Sequence, residues 1–495
     1  MEENEIVKPS SRFPTGKKEL WLLCVTAVFA LLLTDLAMYY GCNIGFAVIA
    51  VLCIAAGTVY LLAQGHRPTF YSGTLLILSA FAFGSLSSSD DSFVKFVMIV
   101  FGFLGASLGF CLMAGQSRRS AAGFLSLTDA IGAFFGLGFG QFGNSFGGLH
   151  ESSKNAGTAG KNRMAVFIGL LIAVPVLAIV IPLLMRADAA FEGLLALLPE
   201  FNLGELIVSV LFGAPLAAVL YTYFTALHHK SREARPQKQR KGINVLTVNT
   251  VLGAVCAVYL VYLLSQLAYF SGGFSGILPE EYTMAEYARR GFFEMAWLTA
   301  INLLIIIFSV AFIPRQNGKS PVSTRILCLF IALISLFFAV SASAKMLLYI
   351  DSYGLTRLRL LTEVIMVFLG STVIFITVWI FAPKFPYMKA VMLCALVIGC
   401  AVAWADVDTV VASYNVSAYR AGQLETLDMD HLCELGDGAV PYLALLTEDD
   451  DPTVATLARY ELEYRSTQRP EDIRSYTVAS IIADNILEQY EETVP

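Results

Sequence analysis

The stretch richest in chemistry is Glu286, Arg289, Arg290 and Glu294, held within nine consecutive residues. A guanidinium fork matches a carboxylate or phosphate bidentately, so paired arginines point to recognition of an anionic group. The stretch runs directly into Met295–Phe312, 18 residues without a charge. As a helix that run covers about 27 Å at ~1.5 Å per residue, enough to cross a bilayer. Ionic side chains at the lip of a membrane helix are costly unless they find partners or water. Lys345, Asp351, Arg357, Arg359 and Glu363 sit at similar lips further along the chain. Together these nine residues form a candidate belt for an anionic ligand. A structural account competes with it. Thr283 and Glu286 are spaced as a capping box, and Glu286, Arg290 and Glu294 follow one another at four-residue helical spacing.

The elements that must hold this belt follow from composition. The chain is 57% hydrophobic and 15% charged, against about 25% charged in soluble proteins. That marks an all-α, polytopic transmembrane helix bundle. The first apolar run, from Leu20, lacks a small-residue cleavage site after it and reads as a retained helix. Eleven apolar segments are expected, at 20–40, 44–63, 71–86, 93–114, 164–185, 204–226, 243–265, 284–313, 325–350, 358–382 and 389–405. With the N-terminus inside, the cytoplasmic segments hold 21 of the 33 Lys and Arg residues, which is the bias that sets topology. An odd count then puts the C-terminus outside. The domains read as a cytoplasmic segment 1–19, a membrane domain 20–405 and an acidic, helical, extracytoplasmic tail 406–495.

Several segments do not span. Residues 122–149 are rich in Gly and Phe and contain Asp129; they read as interfacial or re-entrant on the inner side. Residues 186–203 read as a short amphipathic helix on the outer surface. The basic run 229–241 has no interleaved aromatic residue, so it reads as a topology signal lying on anionic lipid and not as a nucleic-acid site. The tail holds 19 acidic and 5 basic residues. Its helices are expected at 405–421, 428–435, 437–447, 452–467 and 471–491. Asp451 and Pro452 make a plausible cap and first turn. Ile473, Val478, Ile481, Ile482, Ile486 and Leu487 recur at helical spacing as a core face.

Signals for catalysis are weak. No Cys-x-x-Cys occurs among the nine cysteines, which read as small buried apolar residues. His66, His150, His228, His229 and His431 fall in loops or the tail, so none stands out as a base. No metalloprotease or serine-hydrolase motif is present. No metal and no cofactor is expected, and no catalytic residue is assigned.

Four blocks carry a family resemblance: Tyr269–Gly273, Tyr287–Glu294, Tyr353–Leu360 and Ala412–Asn415. With them the chain resembles bacterial multi-pass membrane proteins grouped as domains of unknown function 4153 and 4173, over roughly residues 160–450. The resemblance implies a bacterial plasma-membrane location and supplies no activity. The expected role is therefore a non-enzymatic envelope protein. Its outer belt would bind an anionic lipid head group or small anion, or hold the acidic tail, and its tail would dock a protein partner. A secondary transporter or channel and a transferase acting on outer-leaflet lipid are the alternatives.

Overall fold

The computed structural model describes residues 12–88, 90–117, 126–155, 169, 176, 180, 183–184, 203–230, 243–273, 292–314, 320–469 and 472–493. These residues form helices and turns, with no strand among them. Ten of the helices are long and apolar enough to cross a membrane. In lipid, where no water satisfies an exposed peptide group, a helix is the structure that pairs its own backbone. The expected span at 164–185, the outer segment 186–203 and the basic run beyond Lys230 lie almost wholly outside the described residues. The chain divides into two compact units.

The first unit holds residues up to 234, apart from 121–124, together with 470–478. Its helices are α1 (Lys17–Asp35, carried on by a wider turn Leu36–Tyr40), α2 (Ile44–Ala63), α3 (Phe70–Gly84), α4 (Ser92–Met113), α5 (Ser126–Gly138), α6 (Phe142–Asn155) and α7 (Leu203–His229). Short polar residues start them. Thr69 and Ser72 close a reciprocal capping box on α3, and the Asp91 carboxylate accepts the Val94 amide at 2.7 Å on α4. α2 and α7 meet where Gly57 lies under Phe224, and any side chain at Gly57 would collide with that ring. The core joins Leu22, Tyr60, Leu61, Phe110, Tyr221, Tyr223, Phe224 and Leu227. At 13 and 14 residues, α5 and α6 are too short to cross. They pack on α4 and α7 through Ser107 to the Ala130 carbonyl and Ser145 to Thr225, both 3.0 Å.

The second unit holds α8 (Val245–Gly273), α9 (Phe292–Phe312), α10 (Val322–Tyr353), α11 (Arg357–Phe381) and α12 (Tyr387–Ala405). At mid-depth the Tyr259 hydroxyl donates to Asn302 at 2.6 Å, and Asn302 donates to Ser335 at 3.0 Å. This ties α8, α9 and α10 together by interhelical hydrogen bonds, a common device in lipid. The tail follows as α13 (Val407–Arg420), α14 (Met429–Cys433), α15 (Val440–Leu445), α16 (Pro452–Ser466) and α17 (Val478–Thr493). Its small core gathers Val411, Val416, Leu432, Leu443, Leu446 and Leu462. Asp451 caps α16 by accepting the Thr453 amide at 2.8 Å, with Pro452 in the first turn.

The last helix differs from expectation. It begins at Val478 and not near residue 471. Its buried face is Ala479, Ala483 and Leu487, while Val478, Ile481 and Ile482 are exposed. Of the expected face Leu487 is buried, and Ala479 and Ala483 complete the inward side. Residues 472–477 instead form a strap on the first unit. The Ser475 carbonyl accepts from Asn43 Nδ2 at 2.5 Å, and the Tyr476 carbonyl accepts the Ile44 amide at 3.2 Å. That amide opens α2 and has no partner within its own helix.

Candidate functional site

Of the belt residues that are described, Lys345, Glu294, Asp351, Arg357 and Arg359 face groups of their own chain. Glu286, Arg289 and Arg290 lie outside the described residues. Glu294 stands exposed in the first turn of α9 and faces Lys345 of α10 electrostatically. Asp351 accepts the Tyr414 hydroxyl at 3.2 Å. Arg359 donates to the carbonyls of Tyr353, at 2.9 Å, and of Gly354, and its guanidinium lies 4.1 Å from the centre of the Tyr349 ring. Glu363 is half-buried within α11, with Oε1 buried and without a hydrogen bond.

Arg357 makes the firmest contact. Its fork grips Asp408 through Nε to Oδ1 and through Nη2 to Oδ2, the latter at 2.7 Å. Asp408 is buried, and its Oδ2 also accepts the Gly436 amide at 2.7 Å. Arg357 Nη2 reaches the Glu434 carbonyl at 3.4 Å. Beside this pair, Asn415 of α13 clasps the turn before α11. Its Oδ1 accepts the Leu355 amide at 2.6 Å, and its Nδ2 donates to the Leu355 carbonyl at 2.8 Å. Asp406 takes a φ of 54° at the break between α12 and α13 and accepts the Thr409 hydroxyl at 2.6 Å. The left-handed turn lets the chain leave a span and start a new helix within one residue. The fork that suits an anionic ligand is thus filled by a carboxylate of the protein, and the result is a clamp between the tail's first helix and a span end.

Sequence reasoning singled out Arg357 as a belt residue but paired it with neither Asp408 nor the Asn415 clasp. Asp408 reads locally as one more acid after a span, and Asn415 as part of an Asn-x-Ser triplet. Neither spacing reveals a partner some 50 to 60 positions away. Further tail interactions hold the same fold. Arg465 donates to the carbonyls of Cys433, Leu435 and Gly436 at 2.7–3.0 Å and to Glu461 at 2.7 Å. Cys433 has its thiol pushed up to about 11 by burial. With these basic groups engaged, the outer face of α16 shows Leu457, Tyr460 and Tyr464 exposed in a row at helical spacing. Glu448, Asp450 and Asp451 are exposed in the loop before α16 and Glu463 is exposed on it, as is Arg459, which donates to the Thr447 carbonyl.

A second polar centre lies in the first unit and has no counterpart in the sequence expectations. Glu19, in the first turn of α1, is buried. Its Oε2 accepts the Gly16 amide at 2.8 Å; its Oε1 accepts Gln64 Nε2 at 2.6 Å and the Tyr60 hydroxyl at 3.4 Å. His229 Nε2 is 3.6 Å from the same Oε1. His66 Nε2 and His228 Nδ1 are 3.1 Å apart. Three histidines that read as isolated loop residues are therefore neighbours, because α7 ends where the α2–α3 turn returns.

The comparisons with known proteins give one family. Residues 18–446 match the family described as a domain of unknown function (DUF4153). No curated protein and no solved structure matches the chain.

Proposed function

Given that the chain belongs to the DUF4153 family, whose description assigns no activity, we propose from its own residues that it is a non-enzymatic docking protein of a bacterial plasma membrane. Its acidic tail is mounted on a span end and receives a basic segment of a partner protein outside the cell. The observation that carries this reading is the exposed row Leu457, Tyr460 and Tyr464 on α16, set among acids on a domain clamped by Arg357–Asp408. Tyrosine is favoured at interfaces because it offers a large, fairly rigid contact with a polar tip. Acids around it favour a cationic partner and raise its rate of encounter.

The anionic-ligand reading is weaker. It rests on Glu286, Arg289 and Arg290 outside the described residues, and on Lys345 with Glu294, since Arg357 and Arg359 hold groups of the chain itself. The transporter alternative finds little support either. The mid-depth group of Tyr259, Asn302 and Ser335 closes on itself as interhelical glue.

The strap supports the sidedness. Residues 475 and 476 bond to Asn43 and Ile44, at the far end of α1 from Lys17. Ten described spans less the first leave nine between Ile44 and the tail. A return to the same side needs an even number of crossings. One more crossing is required, and the apolar run 164–185 has the length for it. With the inner loops carrying the basic residues, the N-terminus is cytoplasmic and the tail extracytoplasmic.

The test uses the full-length protein in nanodiscs and a lysine- and arginine-rich probe peptide. Binding should weaken with salt, and Tyr460→Ala and Tyr464→Ala should each weaken it by about tenfold, as an interface anchor does. Unchanged binding in the double variant sinks the docking reading.

A further inference from the structure

Glu19 begins as an ordinary capping residue, since its side chain returns to the Gly16 amide three residues back. Capping does not account for the rest of its surroundings. Gln64 and Tyr60 both donate to the remaining oxygen. His229 then directs Nε2 at that oxygen from 3.6 Å, and this nitrogen is buried with no hydrogen bond. A buried polar atom without a partner is costly. A proton on the imidazole makes an ion pair with a carboxylate that is already in place, and this attraction is set against the cost of charging a buried ring.

The neighbouring imidazoles limit how many protons can enter. The ring centres of His228 and His229 are 4.5 Å apart. His66 and His228 share one contact of 3.1 Å, which needs a lone pair on one side and a hydrogen on the other. A proton on both shared nitrogens would set two donors and two positive charges face to face. The cluster therefore accepts a proton at His229 without loss of structure, while full protonation of the other pair breaks the link between the α2–α3 turn and α7.

The N-terminal segment lies over this centre. Phe13 stacks on His229 with ring centres 5.4 Å apart and planes 22° apart. Its amide donates to the Asn144 carbonyl at 3.0 Å, and Arg12 meets Glu151 at 3.5 Å. Gly148 faces the Phe13 carbonyl so closely that a side chain there would overlap it. The titratable and charged groups around His229, taken element by element, are Lys18 and Glu19 on α1, Tyr60 on α2, His66 on the following turn, Glu151 on α6, and Tyr221, His228 and Lys230 at the end of α7, with Arg12 on the overlying segment. Lys18 is directed to the Ala63 carbonyl, and Arg12 to Glu151.

We propose that Glu19, His229, His228 and His66 form a proton-binding site at the inner ends of α1, α2 and α7, which couples proton uptake to the seating of residues 12–16. This is independent of the docking role, for it involves other residues in the other unit. The ligand is the proton itself. It adds to His229 Nε2 or to the His66–His228 pair from hydronium: an N–H bond forms as an O–H bond breaks, and water is left.

Histidine carbon-13 NMR of the full-length protein in nanodiscs tests the site, titrated from about pH 5 to about pH 8 around the ordinary imidazole value of ~6.5. Single His66→Gln, His228→Gln and His229→Gln variants assign the signals. His228 and His66 should titrate in coupled steps. Glu19→Gln should move the His229 midpoint by about one pH unit toward acid, a tenfold weaker hold on the proton. The midpoint of His431, in the tail, should stay where it was. His228→Asn, which keeps a hydrogen-bonding side chain, should remove the coupling seen at His66. The proposal is overturned if Glu19→Gln leaves His229 in place, or if His66 titrates alike with and without His228. Should Glu19→Gln fail to fold, the His228→Asn comparison decides alone.

Discussion

Arg357 cut back to alanine leaves the Asp408 carboxylate buried with one backbone amide and no cation. Because the Arg357 side chain is 36% exposed, water offsets part of the loss, and Arg357→Ala should cost about 1–3 kcal/mol and lower the unfolding midpoint of the detergent-solubilised protein. Arg357→Lys keeps the charge and loses the fork, and it should recover only part of the loss. Asn415→Asp keeps the acceptor for the Leu355 amide but sets a buried carboxylate oxygen against the Leu355 carbonyl, so it should be at least as damaging as Asn415→Ala in the same assay. Cys433 offers a second readout at this scale. With its thiol pushed up to about 11 from an ordinary 9.0, the thiolate fraction near neutrality falls about a hundredfold. Alkylation of Cys433 in the folded protein should be slower than in the unfolded chain by about that factor. A rate matching the unfolded chain would show the thiol to be open.

Among elements, the strap at 472–477 is the least anticipated. Sequence spacing extends the last helix back across it. The contacts that hold it come from loops hundreds of residues earlier: Asn43 to the Ser475 carbonyl, Thr477 to Asp90 at 3.4 Å, and Arg474 over the Tyr40 ring at 3.8 Å. Lys95 completes the seat by donating to Asn43 at 2.5 Å and pairing with Asp90 at 3.2 Å. Asn43→Ala should speed amide exchange at Ile44, whose partner is the Tyr476 carbonyl, and leave exchange in mid-α4 unchanged. Asp472 adds a pH dependence. Hydrogen bonds from Arg474 hold its carboxyl below the usual carboxylate range. A depressed folded value stabilises at pH above the unfolded value and is lost as pH falls through the depressed one. The Asp472–Arg474 contact is therefore intact near neutrality and is lost only in strong acid. Asp472→Asn should reproduce that loss at pH 7, again read at Ile44.

For the whole molecule, sidedness is the property most open to a direct test. A cysteine replacing Lys230 should react with an impermeant maleimide only after the membrane is opened, and one replacing Glu492 should react in intact cells. Both reacting from one side would contradict an odd number of crossings. The charge asymmetry read along the chain led to this proposal, since the segments expected on the inner side hold 21 of the 33 basic residues. The strap supports it through the parity of crossings. The belt was legible as a set of charges near span ends, because ionic side chains are excluded from hydrocarbon and collect where spans stop. Their partners were not legible. Asp408, Asn415 and the Leu355 turn are far apart in sequence, and local spacing carries no signal of a contact across 50 to 60 residues. The histidine centre was hidden for the same reason, as His66 and His228 are 162 positions apart.

From the order of residues alone came the class of the protein, the ten spans now described and the caps that start several helices. Each of these depends on apolar run length, charge and neighbours within one turn. Tertiary structure decided which of the described charges pair with one another. A buried carboxylate is tolerable only where the fold delivers donors to it, and those donors arrive from helices that meet only when the chain is packed.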